Sequence, residues 1–352
     1  MVITKMRSKY STLKDVAALA EVSVATVSFV LNETKNSRIS DETRQRVIKA
    51  AKELNYRPDI NAQILKGRAS STVGLIIPCM RNNFYPEMTT GVTDRANELG
   101  YNVALFNTCD DFEKEVMSFD TLISMRAAGI MVVGVVQEDA RKEKMLIEKT
   151  NKLNMPVICV DRYYEENIVS SVSINQFKAS YDITSELIKS GYRDIAVVMP
   201  SKIIYTMKER LAGVRQAMVE NGIVLTNDML FYTDNVQYKD AHICADKILG
   251  ANRKFSAILC VCGDVVAVKI IMEIKKRGLK VPEDIAVAGF DGIEMGEIIS
   301  PTLTTVEQPI YDLGYEAMSM LYLRIDDLAG KDCIKNIRLP YSIKTRKSTS
   351  KY

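Results

Sequence analysis

The chain has 352 residues, with 47 Lys and Arg against 44 Asp and Glu, one histidine and no tryptophan, for a formal net charge of +3. That length exceeds one hydrophobic core and suits at least two domains, and the lone His242 leaves little room for Ser-His, Cys-His or histidine-rich metal chemistry. The near-neutral total hides an asymmetry: residues 1–70 hold 13 Lys and Arg against 7 Asp and Glu, whereas the other 282 residues hold 34 against 37. A basic segment ahead of a slightly acidic one is an electrostatic footprint for phosphate, although a solvated basic face gives the same count.

In chain order, MVITKMRSKYS contains no apolar signal-peptide core, and no apolar run reaches bilayer-spanning length, so a cytoplasmic protein without a membrane partner is expected. Thr12 is then placed to cap a helix whose Leu13, Val16, Ala17 and Ala20 share one face. Ser23 is placed to cap a second helix that turns Val27, Val30 and Leu31 towards the first, leaving Glu21-Val22-Ser23 as a three-residue turn. This is the helix-turn-helix layout, whose second helix enters a DNA major groove; an ordinary helical hairpin is the structural alternative. The short polar Ser23, Thr26 and Ser28 suit phosphate oxygens. A third helix is predicted over Ser40–Asn55, with Thr43, Val47, Ala50, Ala51 and Leu54 inside, Asp41 and Glu42 in its first turn and Lys49 and Lys52 towards its end. Tyr56-Arg57-Pro58 stops it, and Gly67, Ser70 and Ser71 mark a flexible connector.

From Thr72 onward apolar runs alternate with helical patterns, the signature of α/β architecture with parallel sheets. Strands are predicted over 73–78, 102–107, 130–136, 157–160, 172–174, 195–199, 229–232, 257–261 and 285–289, with helices beginning near Tyr85, Phe112, Ala140, Phe177, Thr206, Tyr238, Val265 and Pro309. In such folds ligands lie at the carboxyl ends of strands. That rule selects Asn82, Phe84 and Tyr85, then Arg162 in Asp161-Arg162, then Asn175, Arg210, Asp264 and Asp291. Carboxylates accept from vicinal hydroxyls, arginine donates to oxygens, and aromatic rings stack on a sugar or base face. Each has a structural alternative: Phe84 as a core wall, Arg162 as an interlobe salt bridge, Asp264 as a helix cap.

Seven cysteines, Cys79, Cys109, Cys159, Cys244, Cys260, Cys262 and Cys333, lie mostly on apolar strands and read as buried reduced thiols. Cys260-Val261-Cys262 lacks the spacing of zinc clips, and neither a GK[ST] phosphate loop nor a G-x-G-x-x-G after a strand occurs. No metal, cofactor or enzymatic activity is expected.

Several long motifs in a fixed order carry a resemblance: LKDVAALAEVSVATVSFVLN, ISDETRQRVIKAAKELNYRPDINAQILKG, VGLIIP followed by NNFYPEM, RLAGVRQAM, VPEDIAVAGFDG and PTLTTVEQP. With them the chain resembles LacI/GalR-family transcriptional regulators from end to end. The resemblance implies an all-α helix-turn-helix headpiece (1–58), a hinge helix and linker (59–71), and an α/β two-lobe type I periplasmic-binding-protein-like domain (72–352) that binds an effector and dimerises. The N-lobe would comprise about 72–172 and 304–332, and the C-lobe about 173–303 and 333–352. It implies DNA contacts from Thr12, Leu13, Ser23, Val24, Ala25, Thr26, Ser28, Phe29, Asn32, Arg38, Ser40 and Tyr56. In the hinge, Leu65 would wedge into the minor groove, with Ala62 the small residue before it; a linker role for Leu65 is the alternative.

The sequence departs from the family pattern at four places: Phe29, Asn175, the Cys260-Val261-Cys262 segment and Tyr192. Phe29 stands where arginine is common, which exchanges a bidentate donor for a ring suited to a thymine methyl. Val24 and Ala25, at the variable specificity positions, are small and apolar. Asn175 replaces a common aspartate, and Cys260-Val261-Cys262 adds a residue before Gly263-Asp264, so the effector is set apart. Tyr192 stands where histidine is frequent. The tail SIKTRKSTSKY has no leucine heptads and reads as a solvated basic end, which argues against a coiled-coil tetramer. The resulting expectation is a homodimeric repressor on a near-palindromic double-stranded operator, released by a small-molecule effector such as a sugar. A co-repressor arrangement using a purine or a phosphocarrier protein is the alternative.

Overall fold

The computed structural model describes residues 11–31, 39–57, 70–135, 140–164, 168–202, 204–233, 241–326 and 334–350. The chain divides into two compact units, residues 1–69 and 70–352. None of the helices among the described residues is long and apolar enough to cross a membrane.

In the first unit, α1 (Leu13–Leu19) opens with a reciprocal capping box: Asp15 N donates to Thr12 Oγ1, and Thr12 N donates to Asp15 Oδ2 at 2.7 Å. Helix α2 (Val24–Leu31) starts on Ser23, whose Oγ accepts from Thr26 N at 3.1 Å. Helix α3 (Asp41–Glu53) starts on Ser40, whose Oγ accepts from Thr43 N at 3.3 Å. These caps satisfy donors that a short helix cannot satisfy itself. Val16, Ala17, Ala20, Val27, Val30, Val47, Ala50 and Ala51 form one small core, with Val22 and Tyr56 packed against its edge. Glu21 turns the chain between α1 and α2 at φ +54°.

Among its described residues the second unit holds two six-stranded sheets. The first-lobe sheet has the order β11-β5-β4-β3-β1-β2, with β1 at Thr72–Ile77, β2 at Asn102–Asn107, β3 at Ile130–Val132, β4 at Val157–Val160, β5 at Ser170–Ile174 and β11 at Asn336–Leu339. The second-lobe sheet has the order β12-β10-β9-β8-β6-β7, with β6 at Ile195–Pro200, β7 at Leu230–Thr233, β8 at Ala257–Cys260, β9 at Ala286–Asp291, β10 at Thr304–Glu307 and β12 at Ser342–Lys344. All pairings are parallel except β10 with β12. Central strands such as β6 and β9 are buried at every position, which fits their apolar sequence, interrupted in β9 only by its terminal Asp291, and helices on both faces. The helices are α4 (Phe84–Glu98), α5 (Phe112–Ser124), α6 (Ala140–Asn151), α7 (Gln176–Lys189), α8 (Tyr205–Glu220), α9 (Ala241–Leu249), α10 (Asp264–Lys276), α11 (Met295–Ile298) and α12 (Ile310–Ile325). Helix α4 packs on α12, and α7 packs on α8.

Two expectations need correction. Strand β10 belongs to the second sheet and β11 to the first, so the chain passes between lobes after β5, β10 and β11, and the expected assignment of 304–307 and 336–339 is reversed. The tail is also not a solvated end. Ser342–Lys344 pairs with β10, Ser348 Oγ donates to Val287 O at 2.6 Å, and Tyr192 Oη donates to Thr349 O at 2.9 Å. Short hydroxyl side chains anchor this tail by meeting buried backbone groups, a role that a search for apolar periodicity passes over. The same contact gives Tyr192 a structural role.

Candidate functional site

The headpiece separates an inward and an outward side of α2. Val27 and Val30 are buried, whereas Ser23, Val24, Ala25 and Phe29 are exposed and Thr26 and Ser28 half-buried. Phe29 is 42% exposed although it is the largest side chain on the helix, so the sequence spends an apolar ring on solvent rather than on the core. Among the other expected DNA contacts, Thr12 and Ser40 are exposed caps, and Leu13 and Tyr56 are half-buried against the bundle. Asn32, Arg38, Ala62 and Leu65 lie outside the described residues.

In the second unit, residues from several strand ends converge on Arg210. Its side chain, 3% exposed in α8, donates through Nε to Gln176 Oε1 and through Nη1 to Val261 O, both at 2.7 Å. Its guanidinium lies 3.6 Å from the centroid of the Phe290 ring and 3.9 Å from Asp291 Oδ1. Asp161, at the end of β4 and at φ +60°, is buried nearby. A hydrogen-bond chain links the lobes: Gln176 Nε2 donates to Ser173 Oγ at 3.2 Å, and Ser173 Oγ donates to Asp161 O at 2.8 Å.

Burial dominates the electrostatics here. It raises the carboxyls of Asp161 and Asp291, opposed in each case by the Arg210 charge, and it lowers the pKa of Arg210, opposed by the two carboxylates. Two carboxyls thus share one guanidinium whose Nε and Nη1 are already engaged. Asp161 Oδ1, Thr206 Oγ1 and Gln308 Oε1 are buried and lack a hydrogen-bond partner among the described residues. Thr206 lies one turn before Arg210, and Gln308 Nε2 donates to Asp291 Oδ1 at 3.0 Å. Unpartnered acceptors around a buried ion cluster are costly unless something else donates to them. The arrangement is suited to a neutral, donor-rich ligand.

Asp264 is 0% exposed and has a different task. Its Oδ2 accepts from Gly292 N and Ile293 N at 2.7 and 3.0 Å, and its Oδ1 accepts from Thr305 Oγ1 at 2.6 Å. Burial pushes its pKa up to about 7 against these three hydrogen bonds. It therefore pins the loop that follows β9 to β10. Two glycines make room for these carboxylates. A Cβ at Gly289 would sit 2.1 Å from Asp264 Oδ1, and one at Gly263, which has φ +125°, would sit 2.7 Å from Asp291 Oδ2.

The remaining expected ligand residues divide. Tyr85 is buried and interacts with both Arg210 and Arg162, the latter 6.0 Å above its ring. Arg162 also donates to Asp110 Oδ1 at 2.8 Å, so its salt bridge lies within the first lobe. Phe84 is a core residue in edge contact with Tyr85. Asn82 Oδ1 accepts from Phe84 N at 3.1 Å, and Asn175 Oδ1 caps α7 by accepting from Lys178 N at 2.9 Å. Sequence reasoning reached Asp161 in the Asp161-Arg162 pair but passed over Gln176, Thr206, Phe290 and Gln308 as site residues. The strand-end rule reaches Asp161 directly, and would have reached Gln308 had β10 been recognised.

Comparisons with known proteins agree with the two-unit fold. The profile of bacterial regulatory proteins of the lacI family matches residues 12–59, and that of a periplasmic binding protein-like domain matches residues 184–349. The chain is 35% identical to the HTH-type transcriptional regulator RegA of Clostridium saccharobutylicum, over 88% of this chain and 91% of that protein. It is 32% identical to catabolite control protein A of Priestia megaterium, over 96% and 99% of the two chains. Among solved structures, the Lac repressor dimer bound to operator and the anti-inducer ONPF superposes with a TM-score of 0.82 at 26% identity, over 97% of this chain and 99% of that one. A complex of the transcriptional regulator CelR with cellobiose gives 0.71 at 26% identity, over 96% and 99%. With a helix-turn-helix headpiece, a two-lobe α/β unit and relatives that match along nearly their whole length, the chain belongs to the lacI family of bacterial regulatory proteins.

Proposed function

We propose that this regulator acts in the cytoplasm as a homodimeric repressor of transcription whose operator affinity is set by a small molecule held between its lobes, a sugar or sugar derivative. The observation that carries the reading is the buried Arg210 flanked by Asp161 and Asp291, with three unpartnered polar atoms around it. Hydroxyl-rich ligands supply donors to such acceptors, and Tyr85 offers a ring for the apolar face of a sugar. The CelR complex, a relative in fold with cellobiose bound, supports the same class.

On the DNA side, Ser23, Val24, Ala25, Thr26, Ser28 and Phe29 would face the major groove, with Phe29 reading thymine methyls. Asn32 and Arg38 would clamp phosphates and Leu65, after Ala62, would wedge the minor groove. Pairing is supported by a groove of about 780 Å3 in which Met272, Met295 and Ile298, the last 75% exposed, lie beside the charged Lys275, Lys276 and Glu294. Selection of bound sequences from a random DNA pool tests the reading. A near-palindrome with thymine-rich half-sites is expected; the absence of any enriched sequence would overturn it.

A further inference from the structure

Tyr163, three residues beyond β4, reaches from the first lobe to the second. Its hydroxyl donates to Glu209 Oε2 on α8, and its ring meets Tyr205, the first residue of α8, edge-on with centroids 5.8 Å apart. From the first-lobe side the Arg338 guanidinium lies 4.2 Å from the centroid of the Tyr163 ring. Arg338 is itself fixed by donating from Nη1 to Ser171 Oγ at 2.9 Å. The ring is thus held against its own lobe by a cation from β11 while its hydroxyl is spent on the other lobe. Burial and the Glu209 hydrogen bond raise the phenol above its ordinary range, so it stays a donor.

The two segments joined in this way also carry the candidate site. Asp161 is two residues before Tyr163, and Arg210 follows Glu209. Asp161 and Arg210 interact electrostatically across the same gap. A ligand that donates to Asp161 Oδ1 and Thr206 Oγ1 therefore acts on the segments that Tyr163 and Glu209 already tie together.

We infer that Tyr163 and Glu209 form an interlobe latch that favours the present lobe arrangement and so sets the operator affinity from which an effector works. This rests on the proposed effector-controlled function for its regulatory meaning, although the latch itself is a matter of lobe geometry. It makes Tyr163 a positioning residue, because the hydroxyl is consumed by Glu209 rather than aimed at a ligand. A latch of this kind biases a two-state equilibrium, and removing it redistributes the states without touching the ligand contacts.

The test uses the full-length chain with spin labels introduced through non-cysteine chemistry at Met117 on α5 and Val219 on α8, both exposed. The interlobe distance distribution is compared in the parent, Tyr163→Phe, Glu209→Ala and Glu209→Gln without any added small molecule. Tyr163→Phe and Glu209→Ala should each add a second distance population at least threefold above the parent's. The double variant should add no more than either alone, because both remove one interaction. Glu209→Gln, whose amide oxygen still accepts, should stay close to the parent. Unchanged distances in Tyr163→Phe and Glu209→Ala, or additive effects in the double variant, would overturn the latch. Operator binding is measured on the same samples, and both disrupting variants should shift it by the same factor, about threefold or more. Failure of the parent to bind any selected operator would sink the functional reading instead, and the distance measurement would still decide the latch.

Discussion

Replacing Asp264 by asparagine removes one titration from the second lobe while keeping the shape of the side chain. In the parent, the carboxylate holds Gly292 N, Ile293 N and Thr305 Oγ1, and burial raises its pKa from 3.8 to about 7. Because the folded value is the higher one, the folded chain retains a proton that the unfolded chain releases. The associated stabilisation is complete below about pH 4 and disappears as pH rises to about 7. Three pKa units at about 1.4 kcal/mol each make this roughly 4 kcal/mol. The amide of the Asp264→Asn variant has no proton to lose in this range. Its oxygen can keep the two backbone N–H groups, its nitrogen can donate to Thr305 Oγ1, and that hydroxyl already has Val306 O at 3.3 Å as a second acceptor. Urea unfolding from pH 4.5 to 8 should therefore show the parent losing stability relative to Asp264→Asn, by roughly 3 kcal/mol over that window. Asp264→Ala leaves the part-buried Gly292 N–H and the buried Ile293 N–H unsatisfied and should lose about 2–4 kcal/mol throughout. Parallel pH curves for the parent and Asp264→Asn would refute the assignment of Asp264 as a buried, proton-holding anchor. An Asp264→Asn protein that folds normally but no longer responds to effector would mark it as a ligand contact instead.

Gly263→Ala combines a backbone at φ +125° with a Cβ 2.7 Å from Asp291 Oδ2, so it should cost about 1–3 kcal/mol and weaken effector binding tenfold or more in a thermal-shift titration. Arg210→Met leaves Asp161 and Asp291 without their cation. Burial then raises both carboxyls further without the opposing Arg210 charge, so stability should fall by about 3–5 kcal/mol, more at high pH than at low, and the effector-induced shift should vanish. Phe29→Ala should lower affinity for the selected operator by about 1–2 kcal/mol and leave the salt dependence of binding unchanged, since the lost contact is to a base and not a phosphate. Ile298→Asp should shift sedimentation towards the monomer and lower operator affinity at least tenfold at nanomolar protein; an unchanged dimer would place the pairing surface elsewhere.

The headpiece was readable residue by residue because local chemistry determines it. Thr12, Ser23 and Ser40 cap the three helices, and the apolar spacing of Val16, Val27, Val30 and Val47 defines the core. The first nine strands were also legible, most of them as buried apolar runs, although β2 has exposed positions and β5 alternates serines with Val172 and Ile174. Strand β10, with its threonines, and β11 and β12, with alternating exposure, carry no such run and were passed over. Their sheet partners come from topology, which explains the reversed lobe assignment. Within the site, Arg210 and Asp291 were found by their position near strand ends. What distinguishes Asp291 beside Arg210 from Asp264 on the backbone of Gly292 and Ile293 is tertiary contact alone. Asn175 shows the converse: a side chain at a strand end whose hydrogen bond is a helix cap.

The central claim is that ligand and operator bias one equilibrium, and it is tested most directly by operator affinity with and without a saturating effector. That effector is to be found by thermal-shift screening against sugars, sugar phosphates and purines. A change of about 5- to 150-fold, corresponding to 1–3 kcal/mol of coupling, is predicted, with the operator changing effector affinity by the same factor. Tight effector binding at Arg210 with identical operator affinity in its presence and absence would contradict the account.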